Sequence, residues 1–331
     1  KELVTRWLRK QCSYESVNYI FHNAFYDVGW LTTMDIDIKG KIIDTLIAAP
    51  IVDENRFRFD LNSLAKDYLQ ESKSETQLRE AAKMWGLDPK ADLWKLPASH
   101  VGTYAEQDAA VTLRLWHHLK KEITAQNLIN IFQLETDLFP VLFEMKRKGV
   151  RIDLDKAEVI KNDLHKQEKQ LLQSIKKLSG TSVEIWAATS VAKAFDALQI
   201  PYNHTETGKP SFDKNFLSSH DSPLAQMVVK AREINKARTT FIDSILKHSH
   251  RGRIHAEIHQ MRSDQGGTVT GRFSYSNPNL QQIPARNQII GPLIRSLFIP
   301  EKNCKWGIFD YSQQEPRLIA HYASMKSFTG A

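Results

Sequence analysis

The chain has 331 residues, 41% of them hydrophobic and 25% charged, which places it among ordinary globular proteins with room for about two or three domains. No apolar run approaches the ~20 residues that a membrane-spanning helix needs, and nothing reads as a signal peptide. The two cysteines, Cys12 and Cys304, lack metal-ligand spacing, which argues against a zinc site or a disulfide scaffold and for a reducing compartment. Charge is uneven: residues 1–125 carry a net −1 and residues 126–331 a net +8, so the second part is expected to face a polyanion.

In chain order, the first 125 residues alternate strand candidates (VNYIF, 17 to 21; KIIDTLIAA, 41 to 49) with helical stretches at 61 to 70 and 104 to 121, an α/β pattern. FHNAFYDVGWL places Asn23 and Asp27 four apart, just after a strand and at the start of a helix. YAEQDAAVTLRLW places Tyr104 and Asp108 at the same spacing on a helix, hence on one face. Two elements each offering one acid and one polar partner suit Mg²⁺, which takes oxygen from few carboxylates and completes its shell with water and phosphate. Taken singly, each pair reads first as a helix-capping Asp or a core Tyr.

A helical pattern from about 126 to 147 leads into a basic region. Residues 146 to 177 hold twice as many basic as acidic side chains above a stripe of Val159, Ile160, Leu164, Leu171 and Ile175, and 223 to 247 reads as a second basic helix. Such helices suit a nucleic-acid backbone, or are merely solvated faces. The stretch 201 to 222 reads as loop and short elements, and strands and turns follow from Arg253. Near the far end, WGIFDYSQQEPRLIAHYA (306 to 323) reads as a buried strand over Trp306 to Phe309, a turn, and a helix with Pro316 in its first turn. Asp310 would then end a rigid strand as a metal ligand; alone, it and Glu315 are a turn acid and a helix-start acid.

Together these motifs resemble a known family. The N-x3-D and Y-x3-D pairs, with FDLNSLAKDYL between them, resemble the 3′–5′ proofreading exonuclease domain of family A DNA polymerases. SDQGGTVTGRFSYSNPNLQQIPARN (263 to 287) resembles the signature preceding the first palm motif, and DYSQQEPR (310 to 317) resembles that motif. The resemblance implies an α/β, ribonuclease H-like exonuclease domain over 1–125, a linker helix and mainly helical thumb over 126–252, and the start of an α+β polymerase palm over 253–331. It implies Asp27 and Asp108 as metal ligands with Tyr104 positioning water. Asp310 and the Tyr311 carbonyl would hold the palm's Mg²⁺, two ions being expected per active site. Glu315 would lie against the sugar of the incoming nucleotide and exclude a 2′ hydroxyl. Gln313, Arg272, Asn279 and Gln281 would sense the minor groove. Arg286 and Arg317 would hold phosphate or buttress carboxylates, Arg232 and Arg238 would track duplex backbone, and His259 and Asn23 would be further DNA contacts. For these arginines the residue-level alternative is ion pairing, and for Asn279 and Gln281 it is turn hydrogen bonding.

The implied partners are primer–template DNA and deoxynucleoside triphosphates, and the implied location is the cytoplasm of a bacterial or phage-infected cell. Gln314 and Pro316 stand where apolar residues are commoner, a phage-like trait. The family's upstream Asp-x-Glu has no counterpart here, since Asp35 and Asp37 follow Asp27, and the later finger helix and His-Asp-Glu turn do not occur. The expectation is therefore an internal piece of a longer polymerase, incomplete for both activities and able to grip duplex DNA.

Overall fold

The computed structural model describes residues 2–71, 76–89, 91–285 and 287–324. Helix α1 (Glu2–Cys12) leads to strand β1 (Asn18–Phe21), α2 (Ala24–Thr33), β2 (Lys41–Asp44), α3 (Thr45–Val52), α4 (Leu61–Leu69), α5 (Thr76–Met84) and the long α6 (Ala98–Ala125). β1 and β2 pair in parallel with Asn18 beside Lys41. The apolar stretch that reads as strand to residue 49 stops at Asp44. There the Asp44 carboxylate accepts from Leu46 N–H (2.8 Å) and caps a helix whose buried Ile47, Ala48 and Ala49 suit either element, a length-limited ambiguity.

Asp44 also accepts from the backbone N–H groups of Asn23 (2.9 Å) and Ala24 (2.7 Å), so one buried carboxylate starts both α2 and α3. Asn23 sits in the left-handed region (φ 74°), which a short polar side chain tolerates. α6 buries Val111, Leu115, Trp116, Leu119 and Ile123 at helical spacing, and Leu115, Trp116, Leu119 and Ile123 pack against Phe59 and Leu64 in the first core.

α7 (Ile129–Lys148) and β3 (Val150–Ile152) carry the chain into α8 (Leu154–Ser179), α9 (Ala188–Ala197), the two-residue strands β4 (Asn203–His204) and β5 (Pro210–Ser211), and α10 (Lys214–Ser219). The second basic stretch is α11 (Pro223–Lys236), a π-helical turn over Ala237–Ile242, and α12 (Asp243–His248). α8 and α11 pack along Ile160, Leu164, Ile175, Val228 and Ile234. Of the stripe expected on α8, Val159 instead faces solvent.

β6 (Ser249–His250), β7 (Arg253–Ile254), β3 and β10 (Phe298–Ile299) form a four-stranded antiparallel sheet, with α13 (Ile290–Arg295) packed into the same core. β8 (Glu257–His259) and β9 (Ser274–Ser276) make a separate hairpin. Its loop needs glycine at 267: φ is 94°, and a Cβ there would lie 2.2 Å from the Met261 carbonyl.

The last helix, α14 (Gln314–Ser324), forms as expected with Pro316 in its first turn. The strand expected over Trp306 to Phe309 does not. Strand pairing needs a neighbouring edge, and none of the strands among the described residues runs beside this segment. Ile308 and Phe309 are 90% and 95% exposed, and Trp306 Nε1 donates to the Phe298 carbonyl at 3.4 Å. Asp310 therefore ends an irregular exposed segment rather than a buried strand. No helix among the described residues is long and apolar enough to cross a membrane.

Burial, with a smaller push from the nearby Asp27 charge, raises the Asp44 carboxyl to about 6 against its backbone hydrogen bonds. A carboxyl raised on folding binds more protons folded than unfolded, so its contribution to stability grows as pH falls from about 6 toward 4. Asp44→Asn is expected to lose that gain, up to about 3 kcal/mol, in urea denaturation followed across this window.

Candidate nuclease cleft and DNA-facing surface

The structure collects Asp27, Tyr104 and Asp108 around one cleft of about 1540 Å³. Asp27 arrives one turn into α2, whose start Asp44 fixes. Tyr104 and Asp108 arrive from α6, one turn apart on a single face. Half-burial holds the Asp27 carboxyl above the usual carboxylate range. His22, Arg58 and Arg79 share the lining.

The Asp27 and Asp108 carboxylates, from different helices, are hard oxygen donors, and the Tyr104 phenol beside them can bond water. The carboxylates fit Mg²⁺ in the way that ion accepts few protein ligands and keeps water or phosphate for the rest. Among the described residues no group of three or more His, Cys, Asp or Glu is clustered closely enough to enclose a metal by itself, so water and phosphate would complete the shell.

Asn23 and Asp27, expected to face one way, line different hollows. Asn23 opens into a smaller one with Asp44, Lys146, His259 and Asn277. His259 Nε2 lies 2.8 Å from Ser276 Oγ, and burial lowers its basicity. Two residues expected to contact DNA thus meet at the seam between the first half and the β8–β9 hairpin.

That hairpin loop is anchored across the seam. Gln260 Nε2 donates to the carbonyl and carboxylate of Glu135 (2.7 Å each), and Met261 packs near Phe139. Arg262 donates to the Glu54 carbonyl (3.1 Å), and the Asp264 carboxylate accepts from Phe59 N–H (3.1 and 3.3 Å). Asp264 lines the large cleft, a neighbour that sequence spacing did not reveal because it stands 205 residues from Phe59.

At the other end of the loop, Arg272 pairs with Glu315 (3.0 Å), both well exposed, an interaction worth about 0–1 kcal/mol and easily exchanged for another partner. Asn279 accepts from Gln281 N–H (3.1 Å) and Gln281 Nε2 donates to the Phe273 carbonyl (2.8 Å), the turn bonding that residue chemistry allowed. Tyr311, Gln313 and Arg317 are exposed around Asp310. Arg286 lies outside the described residues.

Arg232 and Arg238 are committed inside the helical middle. Arg232 donates to the carbonyls of Ile185 (2.7 Å) and Phe212 (2.6 Å) and lies over Trp186. Arg238 pairs with Glu168 (3.0 Å), which is 7% exposed and also accepts from Asn235 (2.6 Å). On the same helices Lys161 pairs with Asp243 (2.9 Å).

Comparison with known proteins agrees with this layout. The family model for DNA polymerase family A matches residues 154–331, and that for 3′-5′ exonuclease matches residues 4–124. The chain belongs to DNA polymerase family A. It is 34% identical over 336 residues to a DNA-directed DNA polymerase of Pseudomonas phage M6, covering 98% of this chain and 50% of that protein. To DNA polymerase I of Pseudomonas aeruginosa it is 30% identical over 314 residues, covering 91% of this chain and 33% of that one. The chain thus spans about half the length of the phage family members it matches. Its fold is similar to the POL domain of Pol1 from M. smegmatis, solved in complex with DNA primer-template and dNTP. The TM-score there is 0.73 at 23% identity, covering 97% of this chain and 52% of that one.

Removing one partner of a buried ion pair costs about 3–5 kcal/mol because the other charge stays behind. Arg238→Ala is expected to cut the unfolding free energy by about 3 kcal/mol, the low end of that range because Asn235 still donates to Glu168, as read by urea denaturation.

Proposed function

We propose that this chain serves template-directed DNA synthesis with 3′–5′ proofreading, the large cleft receiving a frayed primer end and the Arg272–Arg317 region receiving the paired one. The observation that carries the reading is the convergence of Asp27, Tyr104 and Asp108 on one cleft, within a chain whose two parts match an exonuclease and a polymerase model. The exonuclease part is taken as 1–125, the thumb with its linker helix as 126–252, and the palm part as 253–331.

Asp27 and Asp108 would hold Mg²⁺ in the cleft, with Tyr104 orienting water toward the terminal phosphodiester. Asp310 and the Tyr311 carbonyl would hold it in the palm. When bound, paired ions neutralise phosphate charge and lower the pKa of attacking water or primer hydroxyl. The protein's own work is positioning. Arg58 and Arg79 draw phosphate into the cleft, and Glu315, released from Arg272 when DNA arrives, stands beside the incoming sugar. Gln313, Asn279 and Gln281 would meet the minor groove, Arg317 and Arg286 are the candidates for phosphate, and His259 and Asn23 would guide the strand at the seam. The lysines of the middle helices grip duplex backbone while Arg232 and Arg238 stiffen the scaffold beneath them. A deoxynucleoside triphosphate and primer–template are the expected ligands, in the cytoplasm of a bacterial or phage-infected cell.

Photo-crosslinking from the primer's 3′-terminal base tests the reading without requiring turnover. A mismatched end is expected to crosslink to residues 55–63 and 98–110, and a paired end to residues 268–317. Affinity is expected to fall on the order of a thousandfold between about 50 and 200 mM salt if six or more phosphates are contacted. Identical crosslinks for both ends, or an affinity indifferent to salt, would overturn it.

A further inference from the structure

Phe57 is 90% exposed where it lines the large cleft, so its ring faces are open to a ligand there. Its position is enforced from both sides. On one side the Arg56 guanidinium pairs with Asp67 and lies over the Tyr68 ring at 4.8 Å. On the other, Phe59 is fully buried in the first core, and its N–H donates to Asp264. Arg262 holds the Glu54 carbonyl of the same loop. With its neighbours pinned, Phe57 has no inward position to take, and it stands beside Arg58, which also lines the cleft.

A projecting aromatic next to a cation, in the lining of a cleft that also holds the Asp27 and Asp108 carboxylates, matches the chemistry of a single-stranded nucleic acid: a π-face for a base and a positive charge for its phosphate. We infer that Phe57 is a stacking platform for a base near the 3′ end of a single strand entering the cleft. Asp264, from the β8–β9 loop, is the positioning residue that holds this platform in place. The inference rests on the cleft being a 3′-end site and adds to it the residue that grips the base. It also gives the basic region a direct hand in shaping a site in the first 125 residues.

The test titrates the full chain into a single-stranded oligodeoxynucleotide carrying 2-aminopurine at its 3′ end. Wild type and Phe57→Trp are expected to quench the probe on binding. Phe57→Ala is expected to remove the quench and weaken binding about tenfold, with an unchanged unfolding midpoint because the side chain is exposed. Asp264→Ala should lose most of the quench while Asp264→Asn, which keeps an acceptor for Phe59 N–H, retains it. If Phe57→Ala quenches and binds like wild type, the platform assignment is overturned even where crosslinking still places the 3′ end in the cleft. If wild type neither binds nor quenches the probe, the platform and the 3′-end reading fall together.

Discussion

The cleft depends on one buried carboxylate. Asp44 ends β2, receives the first amides of α2 and caps α3, so two helices leave the parallel strand pair at angles set by a single side chain. Asp27 rides on the first turn of one of those helices, and its position opposite Tyr104 and Asp108 follows from that geometry. The tie is strained electrostatically, since Asp44 is 4% exposed and feels the Asp27 charge. A divalent cation at Asp27 would relieve that repulsion, which links metal binding to the rigidity of the helix start.

A second constraint joins the halves. From Gln260 to Asp264 the β8–β9 loop places side chains on Glu135, Phe139, Glu54 and Phe59, and by Arg272 it has reached Glu315 on α14. One short loop therefore touches both the cleft and the segment after Asp310. The bonds on the cleft side are partly buried and numerous, whereas the Arg272–Glu315 pair is exposed and weak. The asymmetry suits a loop anchored at one site and free to exchange partners at the other.

Much of this was legible in the residues. Helical spacing gave α6 with Tyr104 and Asp108 on one face, and strand propensity placed β1 ahead of Asp27. What sequence could not show was whatever depends on a distant partner. Residues 45–49 are apolar enough for either element, and Asp44 decides for helix by capping it. Trp306 to Phe309 has strand composition but no described edge to pair with. Arg232 and Arg238 carry the same charge whether they face DNA or, as here, carbonyls and Glu168. Asp264 gave no local signal at all, because its acceptor role is set by Phe59 in the other half.

We propose that Asp27 and Asp108 together make a divalent-cation site completed by the 3′ end of a strand. Electron paramagnetic resonance of Mn²⁺ titrated into the chain with a single-stranded oligodeoxynucleotide tests it most directly. Saturable binding is predicted for the wild type, tightened by the oligonucleotide and lost in the Asp27→Asn, Asp108→Asn double variant. Binding that is the same in both proteins, or indifferent to the oligonucleotide, would rule such a site out.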